Sequence, residues 1–207
     1  MSAYATINPA TGEALAEFPV LSDHEVDTVL DRAHTAYLSW RQTPLAQRTA
    51  ALARAAQLST ERIDELAQLL TLEMGKPSMQ AKGEVMIVAS IFQYYAQNAE
   101  KLLADEVLDA VEGGEAVVRT EPIGVILGVM PWNFPYYQVA RFAAPNLALG
   151  NTIILKHAHN CPQSALALEK LLHDAGIPTD AYINAFMDNR QVAEVIADPR
   201  VQGVSLT

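Results

Sequence analysis

Residues 121–156 read EPIGVILGVMPWNFPYYQVARFAAPNLALGNTIILK, from Glu121 to Lys156. An apolar run over 123–130 stops at Pro131-Trp132-Asn133-Phe134-Pro135. A helix-like segment then continues to Gly150, and a second apolar run over 152–155 ends on Lys156. Strand, polar elbow, helix and strand in this order predict a parallel βαβ unit. In open α/β sheets ligands bind outside the carboxyl ends of the strands. The elbow and Lys156 both stand at such ends.

Upstream, residues 4–8, a Pro9-Ala10-Thr11-Gly12 turn and residues 13–20 predict a short hairpin. Ser22-Asp23-His24-Glu25 has the spacing of a capping box. The helix it opens carries Val26, Val29, Leu30, Ala33, Tyr37 and Trp40 on one stripe. Pro44 suits the first position of a second helix that ends near Leu58. A third helix spans 60–74, with Gly75 as a left-handed cap and Pro77 barring continuation, and a long fourth covers 79–103. On that fourth helix Ile91, Phe92, Tyr94 and Tyr95 read as core or subunit packing. A second hairpin, residues 106–120, turns at Glu112-Gly113-Gly114-Glu115 and projects from the body.

Downstream, residues 162–175 are helical and closed by Gly176, followed by a strand over 181–187, a helix over 191–197 and a strand over 201–206. Strands alternating with helices point to an α/β fold: a Rossmann-like parallel sheet flanked by helices, with the hairpin projecting from it. Thr207 comes directly after a strand, where a loop and helix should follow. The 207 residues therefore read as the amino-terminal portion of a longer protein.

Half of the residues are hydrophobic and 18% are charged, which suits a globular protein with a sizeable core. Fourteen Lys and Arg against 24 Asp and Glu leave a net charge of -10, a field that repels phosphate backbones and argues against nucleic acid as a partner. Cys161 is the sole cysteine, so an intrachain disulfide is excluded and a reducing compartment, the cytoplasm, is expected. No apolar run approaches the ~20 residues of a membrane span, and Met1-Ser2-Ala3-Tyr4 does not open a secretory leader.

Two prolines stiffen the elbow and hold Asn133 on a turn at the top of a strand. Its side-chain amide offers two donors without charge, which suits a developing oxyanion. It equally suits a turn asparagine bonded to its own backbone. Lys156 places a cation where a ribose or phosphate could sit, or is a solvated lysine at a strand end. Gly124 and Gly128 lie inside the first strand, so the G-x-G-x-x-G dinucleotide loop is missing. His157, His159 and Cys161 alternate, and on an extended segment they would share a face as metal ligands.

Leu72-Glu73-Met74-Gly75-Lys76-Pro77, Pro122-Ile123-Gly124-Val125, the Pro-Trp-Asn-Phe-Pro elbow, Gly150-Asn151-Thr152 and Lys156 resemble, in order, the NAD(P)-dependent aldehyde dehydrogenase superfamily. The elbow with Val129 and Met130 before it, Arg141-Phe142-Ala143-Ala144-Pro145, and Lys156-His157-Ala158 are similar to its bacterial succinate-semialdehyde dehydrogenase branch. The resemblance implies oxidation of an aldehyde, succinate semialdehyde above all, to the acid with NADP or NAD through a thiohemiacetal. It implies that Asn133 donates to the oxyanion. Met130, Pro131 and Trp132 would line the cofactor cleft, together with Ala158 and Thr207, and Lys156 would bond the adenosine ribose. His159 would stand where NAD and NADP are told apart, and without a carboxylate there a 2′-phosphate is admitted. Phe134 and Arg141 would meet the substrate. Arg141 lies nine residues after Trp132, and its guanidinium can hold the succinate semialdehyde carboxylate bidentately.

The resemblance further implies a homo-oligomer joined through the 106–120 hairpin. It places the nucleophilic cysteine and general-base glutamate in later segments, so these 207 residues alone are expected to be inactive. Cys161 matches no catalytic motif. The family's glycine-rich turn after the 181–187 strand is replaced by Asp188-Asn189-Arg190. Two other readings remain open: an inactive fragment that at most binds nucleotide, and a metal-binding module at His157, His159 and Cys161.

Overall fold

The computed structural model describes residues 4–109, 114 and 116–207. A hairpin of β1 (Tyr4–Ile7) and β2 (Ala14–Phe18) precedes four helices: α1 (Asp23–Trp40), α2 (Leu45–Glu61), α3 (Ile63–Met74) and α4 (Ser78–Leu102). A second antiparallel pair, β3 (Glu106–Leu108) and β4 (Ala116–Val118), leads into the alternating half. That half runs β5 (Val125–Val129), α5 (Tyr137–Leu149), β6 (Thr152–Lys156), α6 (Pro162–Asp174), β7 (Tyr182–Asn184), α7 (Asn189–Ala197) and β8 (Val201–Leu206). Its four strands form one parallel sheet in the order β7-β6-β5-β8. The fold is the α/β, Rossmann-like one expected, with an antiparallel hairpin beside it.

Alternation along the strands divides the core into two layers. Val125, Leu127 and Ile154 face Val26, Val29, Leu30 and Ala33 of α1 and Val195 of α7. Ile153, Leu155 and Tyr182 face the other way, onto α5, α6 and the bundle of α2 to α4. Gly128 of β5 lets α5 approach: a Cβ there would stand 2.2 Å from Cζ of Phe142.

The Gly150-Asn151-Thr152 turn is organised by its own side chains. Gly150 closes α5 with φ 109°, a conformation that only glycine adopts cheaply. Asn151 Oδ1 accepts from the amides of Ile123 and Gly124 at 2.7 and 3.0 Å, fixing the entry to β5. Arg48, buried on the α2 stripe, donates to the carbonyls of Ala148 and Thr43 at 2.8 and 2.6 Å, so the carbonyl end of α5 is satisfied from a neighbouring helix.

Several boundaries differ from expectation. Pro44 is the N-cap of α2, not its first residue: its ψ of 139° is extended, while its carbonyl accepts the first helical bonds from Gln47 and Arg48. α2 runs on to Glu61 and α3 starts at Ile63, because the Ser59 and Thr60 hydroxyls bond back to the carbonyls of Ala55 and Ala56 and do not break the helix. β7 is only three residues long, and residues 185–187 lead into α7, where Asp188 and Gln191 form a second capping box. The Ser22–Glu25 box and the left-handed Gly75 cap are present as read. The Glu112-Gly113-Gly114-Glu115 turn lies, apart from Gly114, outside the described residues.

No described helix is long and apolar enough to cross a membrane.

Candidate functional site

Three strand ends meet at one place. The Met130 amide donates to the Lys156 carbonyl at 3.1 Å, and the Thr207 amide reaches the Val129 carbonyl at 3.4 Å. Met130, Lys156 and Thr207 therefore stand side by side at the carboxyl ends of β5, β6 and β8. The elbow 131–135 rises from this edge, with Trp132, Asn133 and Phe134 exposed.

The Asn133 side-chain amide has no hydrogen-bond partner among the described residues, so it is not the self-bonded turn asparagine that the sequence also allowed. Its backbone is held instead. The Asn133 carbonyl accepts from Nζ of Lys76 at 3.0 Å. Lys76 is paired with Glu84, both buried, and the Lys76 ammonium lies 3.9 Å from the centre of the Phe134 ring. The other Glu84 oxygen accepts from the amides of Tyr136 and Tyr137, at 2.9 and 3.1 Å, where α5 begins without a side-chain cap of its own.

His157 buttresses the far side of the elbow. Its Nδ1 accepts from the Ala158 amide at 2.8 Å, which leaves Nε2–H to donate to the Pro135 carbonyl at 3.0 Å. Burial pushes its pKa down to about 4, against the Pro135 hydrogen bond, which favours the charged form. An unfolded imidazole titrates near 6.5. Between those values the unfolded chain binds more protons, so stability is intact above pH ~6.5 and falls as pH drops toward ~4, by about 3 kcal/mol at most. Urea denaturation between pH 7.5 and 4.5 reads this fall, and His157→Gln, which keeps an amide donor, should flatten it.

Lys156 is 7% exposed and has no carboxylate or hydrogen-bond partner for its ammonium among the described residues. Burial lowers its pKa. The Tyr4 ring centre is 5.9 Å from its Nζ, and the same ring packs on His159 and Phe186, each at 4.6 Å between centroids. The Ala5 amide donates to the His159 carbonyl at 3.0 Å, so β1 holds the half-buried 158–159 turn in place.

Arg141 is exposed on α5, with Nη2 donating to Oγ1 of Thr207 at 3.2 Å and its guanidinium 5.7 Å from the Tyr137 ring centre. It has no carboxylate partner among the described residues. It closes one side of a groove of about 380 Å³ between α4 and α5, lined also by Ile87, Ser90, Ile91, Tyr94, Tyr95 and Tyr137. The aromatic stretch of α4 is thus split: Phe92 is fully buried in the core, while Ile91, Tyr94 and Tyr95 line the groove.

The metal reading fails on geometry. Residues 157–161 form a turn, not an extended segment. His157 is committed to the elbow, His159 to Tyr4, and Cys161 Sγ lies buried 4.0 Å from the Trp132 carbonyl. No group of three potential ligands occurs among the described residues. Burial, with Glu73 and Glu84 nearby, pushes the Cys161 thiol pKa well above its ordinary value, so it stays protonated and unreactive. The Asp188-Asn189-Arg190 segment also has other duties: Asp188 caps α7, and Arg190 pairs with Asp23 and Glu194.

Sequence reasoning missed Glu84, and it saw Lys76 only as part of a motif. A detectable signal was present: Glu84 is a carboxylate on the same buried stripe of α4 as Ala81, Val85 and Val88.

The sequence pattern of the aldehyde dehydrogenase family matches residues 1–207. The chain is 53% identical over 204 residues to a succinate-semialdehyde dehydrogenase (NADP+) of Deinococcus radiodurans, covering 99% of this chain and 43% of that protein. It is 47% identical over 206 residues to the same-named protein of Mycobacterium avium, covering 98% and 44%. The crystal structure of succinic semialdehyde dehydrogenase from Streptococcus pyogenes with NADP+ superposes with a TM-score of 0.95 at 42% identity, covering 98% of this chain and 45% of that one. The chain thus spans less than half the length of these relatives. A match over the whole of residues 1–207 means that the chain belongs to the aldehyde dehydrogenase family.

Proposed function

We propose that these 207 residues are the cofactor-binding portion of a longer NADP-dependent succinate-semialdehyde dehydrogenase. The observation that carries this reading is the placing of three groups around one set of strand ends: the Asn133 side-chain amide, which has no hydrogen-bond partner among the described residues, and the Lys156 ammonium and Arg141 guanidinium, which have no carboxylate partner among them. Their chemistry matches the three parts of the reaction. Lys156, desolvated and without a counter-ion among the described residues, suits ribose hydroxyls or a phosphate of NADP. Met130, Pro131, Trp132, Ala158 and Thr207 would form the walls of that cleft, and His159 admits a 2′-phosphate because it carries no negative charge to repel it. NADP, when bound, supplies the hydride acceptor.

Asn133 would donate a hydrogen bond to the aldehyde oxygen as it gains charge. Phe134 and Tyr137 would shield the reacting carbon from water. Arg141 would hold the distal carboxylate of succinate semialdehyde at the mouth of the apolar groove. The attacking thiol is not Cys161, which is buried and protonated. It would come from a segment outside these residues, and an isolated 207-residue chain would then be inactive. The exposed Val107, Leu108, Val117 and Val118 of the β3–β4 pair support a homo-oligomer contact there.

The test is NADPH fluorescence titration and NADP-dependent oxidation of succinate semialdehyde by the full-length protein. Lys156→Ala should weaken NADPH binding about tenfold or more, the value of one charge-assisted hydrogen bond. Unchanged NADPH affinity in that variant, or no NADP-linked turnover by folded full-length protein, would refute the reading.

A further inference from the structure

The Lys76–Glu84 pair has no counterpart in the chemistry assigned so far, yet it holds the chain at Asn133 and just after it. Lys76 donates to the Asn133 carbonyl at 3.0 Å and lies against the Phe134 ring. Glu84 binds Lys76 with Oε2 and uses Oε1 to accept from the Tyr136 and Tyr137 amides. Glu84 is 2% exposed and Lys76 7%, so water does not compete for either group.

A charge pair this deeply desolvated is costly to build and gives little net stability compared with apolar packing. It is tolerable here because both partners are hydrogen-bonded to backbone at the elbow. Glu84 also does what a capping residue would do, since α5 has no side chain of its own at its N-cap. The backbone just before Asn133 is constrained by proline, the Asn133 carbonyl by a cation, and the start of the following helix by a carboxylate.

We propose that Lys76 and Glu84 are positioning residues that set the orientation of the Asn133 amide, and that their effect on turnover passes through Asn133. The proposal rests on the reading of Asn133 as the oxyanion donor. Without Lys76 the Asn133 peptide is free to rotate, and its amide leaves the place where charge develops. A donor misplaced by a fraction of its hydrogen-bond length loses much of its value to the transition state while ground-state binding is little changed.

A double-mutant cycle in the full-length enzyme decides this. Lys76→Met alone should lower kcat for succinate semialdehyde about 10- to 100-fold, with KM for NADP within about twofold of wild type. In an Asn133→Ala background the same substitution should lower kcat by no more than about twofold, because the group it positions is already gone. Glu84→Gln, which keeps the shape and an acceptor for the two amides, should show a smaller loss and the same non-additivity. It carries the cycle if Lys76→Met does not yield folded enzyme, as judged by its melting transition. Wild-type kcat in both single variants, or an equal fold-loss with and without Asn133, would overturn the proposal. A wild-type rate in Asn133→Ala alone would sink the oxyanion reading itself, and the positioning role with it.

Discussion

Asn133→Ala in the full-length enzyme is expected to lower kcat by about 100- to 1000-fold, the cost of losing one preorganised oxyanion donor. NADP affinity should hardly move, because Lys156 and the strand ends are untouched. The size of the effect follows from preorganisation. The side-chain amide has no partner among the described residues, so none of their hydrogen bonds must break before it donates. Its backbone is held by proline, Lys76 and the capped start of α5. Asn133→Asp keeps the shape but puts an acceptor and a negative charge where charge develops, and should be no better than alanine. Steady-state kinetics with pre-steady-state bursts would check both. A kcat within a few-fold of wild type for Asn133→Ala would mean that another group stabilises the oxyanion.

Arg141→Ala should remove most of the preference for succinate semialdehyde over butanal, an uncharged aldehyde of the same carbon count. A hydrogen bond to a charged group contributes about 1.5–3 kcal/mol, so the ratio of kcat/KM values should fall about 10- to 100-fold. The loss should come from the acid aldehyde, with butanal turnover little changed. The guanidinium is available because Thr207 gives it a neutral oxygen and Tyr137 an aromatic face, neither of which cancels its charge. Arg141→Lys should recover only part of the preference, since an ammonium cannot grip a carboxylate with two parallel bonds. Unchanged selectivity in Arg141→Ala would move the carboxylate contact elsewhere in the groove.

Much of this was legible in the chain itself. Continuous apolar runs over 123–130 and 152–155 identified the buried strands, and the proline-bracketed elbow and strand-terminal Lys156 fell where an open sheet keeps its ligand edge. Glycine caps at Gly75 and Gly150 and the Ser22 box marked helix ends because each is a local event, decided by a few neighbouring residues. Other features could not be seen there. The H-x-H-x-C run looked like a ligand set until a turn sent His157 to the elbow, His159 to Tyr4 and Cys161 into the core. That Arg141 would stand beside Thr207, 66 residues away, could not be read from either segment. The support of Asn133 is built from Lys76, 57 residues upstream, and the cap of α5 from Glu84, 52 residues before Tyr136. Local propensity and periodicity act over a few residues, so the sequence alone determined the elements and their order. Which polar group finds which partner depends on chain segments brought together by the packing of α4 against α5, and only the tertiary structure decided that.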